Sequence, residues 1–187
     1  MHRSKQVLGP VLVLATALWM VMRPGTALAD SAEDIDSRAD AALQQLYQGQ
    51  PSAQMLAQSA KAILVFPNIV KAGFMFGAQY GEGALRDNGA TVGYYSSVAA
   101  SYGYQAGIQV FGYAMFFMNE QVLSYLDKSD GFEIGVGPSV VLVDQGMGKS
   151  LTSTTLTQDV YAYIFDQQGL MAGAGIQGSK ITKINRN

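Results

Sequence analysis

The chain has 187 residues, with twelve Lys plus Arg against fourteen Asp plus Glu and no cysteine. The missing cysteines exclude thiol catalysis, thiolate metal sites and lipidation at a lipobox cysteine. The acidic balance excludes a basic surface of the kind that neutralises nucleic-acid phosphates.

The first 29 residues have the pattern of a secretory signal. His2, Arg3 and Lys5 give a positive start, Val11 to Met22 an apolar stretch, and Ala27-Leu28-Ala29 a small-residue cleavage pattern before Asp30. The apolar stretch is bounded by Pro10 and Arg23, too tightly for a membrane anchor of about 20 residues. Cleavage after Ala29 is expected to leave residues 30–187 as a single domain, exported to the periplasm or secreted, peripheral to a membrane at most and not a lipoprotein. With Arg3, Lys5 and Arg23 gone, nine basic residues face fourteen acidic ones, a formal charge of -5. That sign also argues against polybasic adhesion to anionic lipid.

From residue 31 to 49 the apolar positions Ile35, Ala39, Ala42, Leu43 and Leu46 recur with a helical period. Ser31 and Asp34 resemble a capping box, and Gly49 with Pro51 marks a stop. A second, shorter helix is expected from Ser52 as N-cap, carrying Met55, Leu56 and Ala60.

Beyond Ile63 the pattern changes to β-type runs broken by glycine: 63–66, 73–85, 91–95, 98–110 and 113–118, with Asp87-Asn88-Gly89 as the turn signal. In an extended chain Gly73, Gly77, Gly81 and Gly83 share one face while Phe74, Phe76 and Tyr80 line the other. Such a glycine cluster predicts close approach by another backbone or a ligand. Asn119 is expected to cap a helix near 119–128 with Val122, Leu123 and Leu126 inward. Strands at 131–143 and 160–165 follow, then a glycine-rich stretch at 169–181. Residues 144–158, rich in Ser, Thr, Gly and Gln, are expected to form a long exposed loop. The fold class is therefore α+β. It predicts a strongly curved, mostly antiparallel, glycine-rich sheet, barrel-like or a sandwich, with amphipathic N-terminal helices and one inserted helix.

Catalytic constellations are scarce. The single histidine, His2, lies in the signal segment, which removes imidazole chemistry from the mature chain. Gly148-Lys149-Ser150 is not a P-loop, because the motif needs glycine at the position of Val143. Asp127, Asp130 and Glu133 do not have EF-hand spacing. Glu82 and Glu133 form the one carboxylate pair to weigh for hydrolysis, and structural roles outweigh catalytic ones. No enzyme, no cofactor, no metal and no nucleotide are expected.

Three blocks, AKAILVFPNIVKAGFMFGAQYGEGALR (60–86), GYYSSVAASYGYQAGIQVFGYAMFFM (93–118) and GLMAGAGIQGSKI (169–181), with FEIGVGPSVVL between them, resemble the SYLF domain. This lipid-binding module occurs in exported bacterial proteins and in eukaryotic proteins of the cortical actin machinery. The resemblance implies phospholipid binding, with phosphoinositides as eukaryotic ligands. Lys71 matches the basic residue of the family's K-A-G-F block, and Gly81-Glu82-Gly83 its G-E-G turn. Actin binding is not implied, since the extra basic surfaces of the actin-associated members are missing. The expected function is a non-enzymatic, exported phospholipid-binding protein of the bacterial cell envelope; the alternative is a structural or protein-interaction module without a lipid ligand. Lys71, Lys61, Lys180 and Lys183 are the candidate headgroup cations, and Glu82 the counter-charge for Lys71 or a structural carboxylate.

Overall fold

A computed structural model describes residues 30–128, 132–133, 138–144, 147–148, 151, 156–171 and 179–186. Helix α1 (Ala32–Gly49) begins where Ser31 takes the Asp34 amide at 3.1 Å on its hydroxyl oxygen and donates to the Asp34 carboxylate at 2.6 Å. Its buried side chains are Ile35, Ala39, Ala42, Leu43 and Leu46, the stripe read from the sequence. Helix α2 (Pro51–Ser59) follows at once, and here the expected cap is corrected. Gln50 is the N-cap, and Pro51 starts the helix with its backbone torsion already suited and no amide to satisfy. Ser52 lies inside α2, where its hydroxyl meets the Tyr163 hydroxyl at 2.7 Å and ties the helix to the sheet.

The expected short strands 63–66 and 73–85 are one strand, β1 (Ala62–Asp87), and the runs between 91 and 118 are another, β2 (Ala90–Phe117). They pair antiparallel along their whole length. Strands usually run five or six residues, and these two are so long because interruptions are absorbed as bulges. Pro67, which cannot donate to a ladder, sits in the register shift between Phe66 and Ile69. Asn88 (φ 49°) and Gly89 (φ 84°) turn the chain between the strands, as the Asp-Asn-Gly signal predicted.

Helix α3 (Glu120–Lys128) starts at Asn119, whose side-chain oxygen accepts from the Val122 amide at 3.0 Å. The single strand expected at 131–143 is instead two short ones, β3 (Phe132–Glu133) and β4 (Val140–Leu142), with different partners; 134–137 lie outside the described residues. Strand β5 (Val160–Met171) runs further than expected, and β6 (Lys180–Ile184) closes the chain. The stretch from 172 to 178, within the expected glycine-rich block, is outside the described residues, as is much of the expected loop at 144–158. Within that loop Gly148 and Leu151 donate to the Asp144 and Met147 carbonyls, one helical turn.

These strands form one strongly curled, half-barrel sheet in an α+β fold. Strand β2 is its spine. It pairs with β1 on one side, and on the other with β6 over Tyr94–Val98 and then with β5 over Gly107–Phe117. Only the β4–β5 pair is parallel among the described strands. The inner face carries Leu64, Phe66, Ile69, Tyr95, Phe111, Tyr113, Met115 and Ile181, closed by Val122 and Leu126 of α3. On the opposite face α1 and α2 cover Val65, Ala84, Ala114, Phe116, Tyr161 and Tyr163. Each large side chain buried this way contributes about 1.5–3 kcal/mol.

Candidate functional site

Strand β1 folds back on itself at a glycine bend. A Cβ on Gly73 would stand 2.5 Å from the Gly77 Cα; one on Gly81 would stand 2.8 Å from the Asn68 carbonyl oxygen and from Ile69; one on Gly83 would overlap the Val65 carbonyl oxygen. The close approach predicted from the glycine cluster is therefore made by the strand's own backbone. Between the Gly73–Gly77 and Ile69–Gly81 contacts lie Lys71 and Gln79, 3% and 4% exposed. Lys71 stands opposite Gln109, also buried, on the paired strand. This is the crease of the half-barrel.

On the opposite face the same hairpin extends beyond α1 and α2. There Val70, Phe76, Tyr80, Val98 and Ile108 are 46–69% exposed. No charged residue occurs from Ala72 to Gly81 or from Asn88 to Asn119. The bare area ends at one cross-strand row, Tyr80–Val98–Lys180–Glu133, whose outer two members are exposed and charged.

The four candidate lysines do not converge. Lys61, half exposed and 4.0 Å from Glu120, lies at the hairpin base and lines a cleft of about 420 Å³ with Leu43, Tyr47, Ile63 and Arg86. Lys71 is inside the crease. Lys180 sits at the rim of the bare face, while Lys183, on the other face of β6, is 3.2 Å from Asp127 and 5.9 Å from the centre of the Tyr95 ring. Asp127 also accepts from the Tyr95 hydroxyl at 2.8 Å, which accounts for one carboxylate of the calcium-like spacing; Asp130 lies outside the described residues.

Glu82 is held by Arg186, whose Nε donates to Oε2 at 3.0 Å and whose Nη2 donates to Oε1, and by the Tyr80 hydroxyl. Burial, then the bond to Glu82, pushes the Tyr80 phenol up to about 12, and the same carboxylate raises the Arg186 guanidinium. No local signal joins positions 104 residues apart in the chain. A second group escaped the sequence reading. Arg86, nearly buried, donates to Thr91 at 2.5 Å, the Asp36 carbonyl at 2.9 Å and the Asp40 carboxylate at 2.7 Å; Thr91 and Tyr94 donate to Asp36 at 2.7 and 3.0 Å. The i, i+4 spacing of Asp36 and Asp40, off the apolar stripe of α1, was the signal available. The network bolts α1 to the base of the β1–β2 hairpin.

The arrangement offers an uncharged apolar face with a cation at its edge and a polar interior behind it. Both features suit binding. A family model described as Ysc84, Las17-binding protein actin regulator, matches residues 98–186. The model is that of the SYLF family, so residues 98–186 match the family that the sequence resembles. This SYLF segment comprises most of β2 and everything after it. The block at 60–86 precedes the match, yet as β1 it is paired with the SYLF segment from Tyr80↔Val98 to Ala62↔Phe117. No curated protein matches the chain.

Proposed function

We propose that this is a non-enzymatic phospholipid-binding protein of the bacterial cell envelope, exported through residues 1–29, that docks on a membrane through the bare face of the β1–β2 hairpin. The observation that carries this reading is the charge-free apolar surface of Val70, Phe76, Tyr80, Val98 and Ile108, left uncovered by both helices. In a bilayer interface apolar area is removed from water at a gain of about 25 cal/mol per Å², and tyrosine is favoured at that depth. A charge there is penalised, so its absence is the feature that separates a lipid face from an ordinary polar surface. Lys180 at the rim reaches headgroups while its stem stays on apolar surface. Among the candidate cations Lys61 and Lys183 lie away from this face, beside Glu120 and Asp127, and Lys71 is inside the crease, which leaves Lys180, at the rim opposite Glu133, as the surface lysine placed for this role. With a mature charge of -5, docking draws on apolar burial more than on net attraction.

Co-sedimentation with vesicles of phosphatidylethanolamine and phosphatidylglycerol tests the reading. Ile108→Asp and Val98→Asp change exposed side chains, so they should leave the melting temperature in place and lower the bound fraction about tenfold or more. Sedimentation unaffected by both changes would sink the docking face. The second reading is a protein partner, since the matched family is described as Las17-binding and actin-regulating. A chain that sediments with no lipid, while a partner protein protects the bare face from hydrogen exchange, establishes that reading instead.

A further inference from the structure

The inner side of the crease holds more hydrogen-bonding capacity than the protein satisfies. Gln79 Nε2, Ser97 Oγ, Gln109 Oε1 and Ser179 Oγ are buried and have no hydrogen-bond partner among the described residues. Native interiors leave few such groups, because each gives up its hydrogen bonds to water and gains none in return. Here four occur together, and the strand registers place them on one face. Gln79 stands opposite Ala99, and one step beyond the Val98↔Lys180 pair brings Ser179 beside Ala99 from the other side. Ser97 is the next residue on that face of β2, opposite Gly81. The glycine bend folds Lys71 and Gln109 over this row, so a buried ammonium joins three donors and an acceptor. Around them Ile69, Phe111 and Ile181 are apolar, which strengthens any hydrogen bond made inside.

We propose that the crease is a binding site for a phosphate ester whose alcohol carries a free hydroxyl or amine. The Lys71 ammonium and the donors of Gln79, Ser97 and Ser179 take the phosphate oxygens, and the Gln109 carbonyl oxygen accepts from the hydroxyl or amine. Both a phospholipid headgroup and a free phosphate ester have this chemistry. As a lipid site it rests on the phospholipid reading above, deepening it from a surface to a headgroup; as a free-ester site it does not need a membrane.

The test uses the fact that an unpartnered polar group is a liability when its ligand is absent. Gln79→Leu and Gln109→Leu keep the shape and remove the orphan, so each should leave the melting temperature of the free protein equal or higher. Titration calorimetry with glycerol 3-phosphate, phosphoethanolamine and inorganic phosphate, and sedimentation with phosphatidylglycerol vesicles, then read binding. Each substitution should weaken the ester about tenfold or more. Soluble esters bound by a native protein that sediments with no vesicles assign a free ester and leave the crease standing while the docking face falls. Vesicle binding lost in both leucine variants, with no soluble ester bound, assigns the lipid headgroup. Vesicle binding kept in both variants, with no ester bound by the native protein, overturns the crease and leaves the docking face intact. Leucine variants that melt lower and bind as the native protein does also overturn it, giving the glutamines a structural role.

Discussion

Single residues set the shape of the crease. Gly83 has the Val65 carbonyl where a Cβ would go, and the obstacle is backbone on a paired strand, which cannot rotate away as a side-chain tip can. Gly83→Ala should therefore destabilise the protein by about 1–3 kcal/mol, read as a lowered midpoint in urea, whereas Gly49→Ala, with open space around it, should not. Tyr80 supplies a pH signature. Its folded value of about 12 lies above the value of about 10 for an unfolded tyrosine, so its bond to Glu82 contributes fully below pH 10 and is lost as pH rises through 12. Burial also raises the Tyr95 and Tyr113 phenols. Ultraviolet titration near pH 11 should find fewer phenolates in the folded protein than in urea, and Tyr80→Phe should remove one late-titrating group; an unchanged curve would remove Tyr80 from the late class.

At the scale of elements, what was legible followed from short-range rules. The α1 stripe, its Ser31–Asp34 cap, the Asn119 cap of α3 and the Asn88-Gly89 turn all involve residues within four positions of each other, and all four appear in the structure. Ser31 is the partner of two bonds at the start of α1, so Ser31→Ala should cost about 1 kcal/mol in thermal or urea unfolding, with the sheet unchanged by circular dichroism. Its bond also holds the Asp34 carboxyl below the usual range. That contribution is present above pH 4 and fades as pH falls through the lowered value, so Ser31→Ala should matter least in acid. Where the reading went astray, another local preference had won: Pro51 displaced Ser52 as the start of α2. Breaks placed at Pro67 and near Gly112 became bulges, because pairing to a long partner strand outweighs a single lost ladder bond.

The whole molecule decides how distant segments meet. The glycine spacing announced a close approach without naming its partner, and the fold supplies β1 itself, doubled over at Gly73–Gly77. Of the four candidate lysines the sequence set only Lys71 apart, and tertiary placement separates all four into a cleft, a crease, a rim and an ion pair. Glu82, expected as the counter-charge for Lys71 or as a structural carboxylate, is gripped by Arg186, so the end of the chain latches onto the strand that carries the glycine motif. The sequence alone determined the helices, the caps of α1 and α3, the central turn, the α+β class and the SYLF resemblance, since periodicity and capping act over one or two turns and a family pattern is a property of order along the chain. Only the tertiary structure decided which apolar face stays bare and which polar groups end up together without partners. Both depend on strand register and on where a curled sheet outruns its helices, quantities that no local spacing encodes.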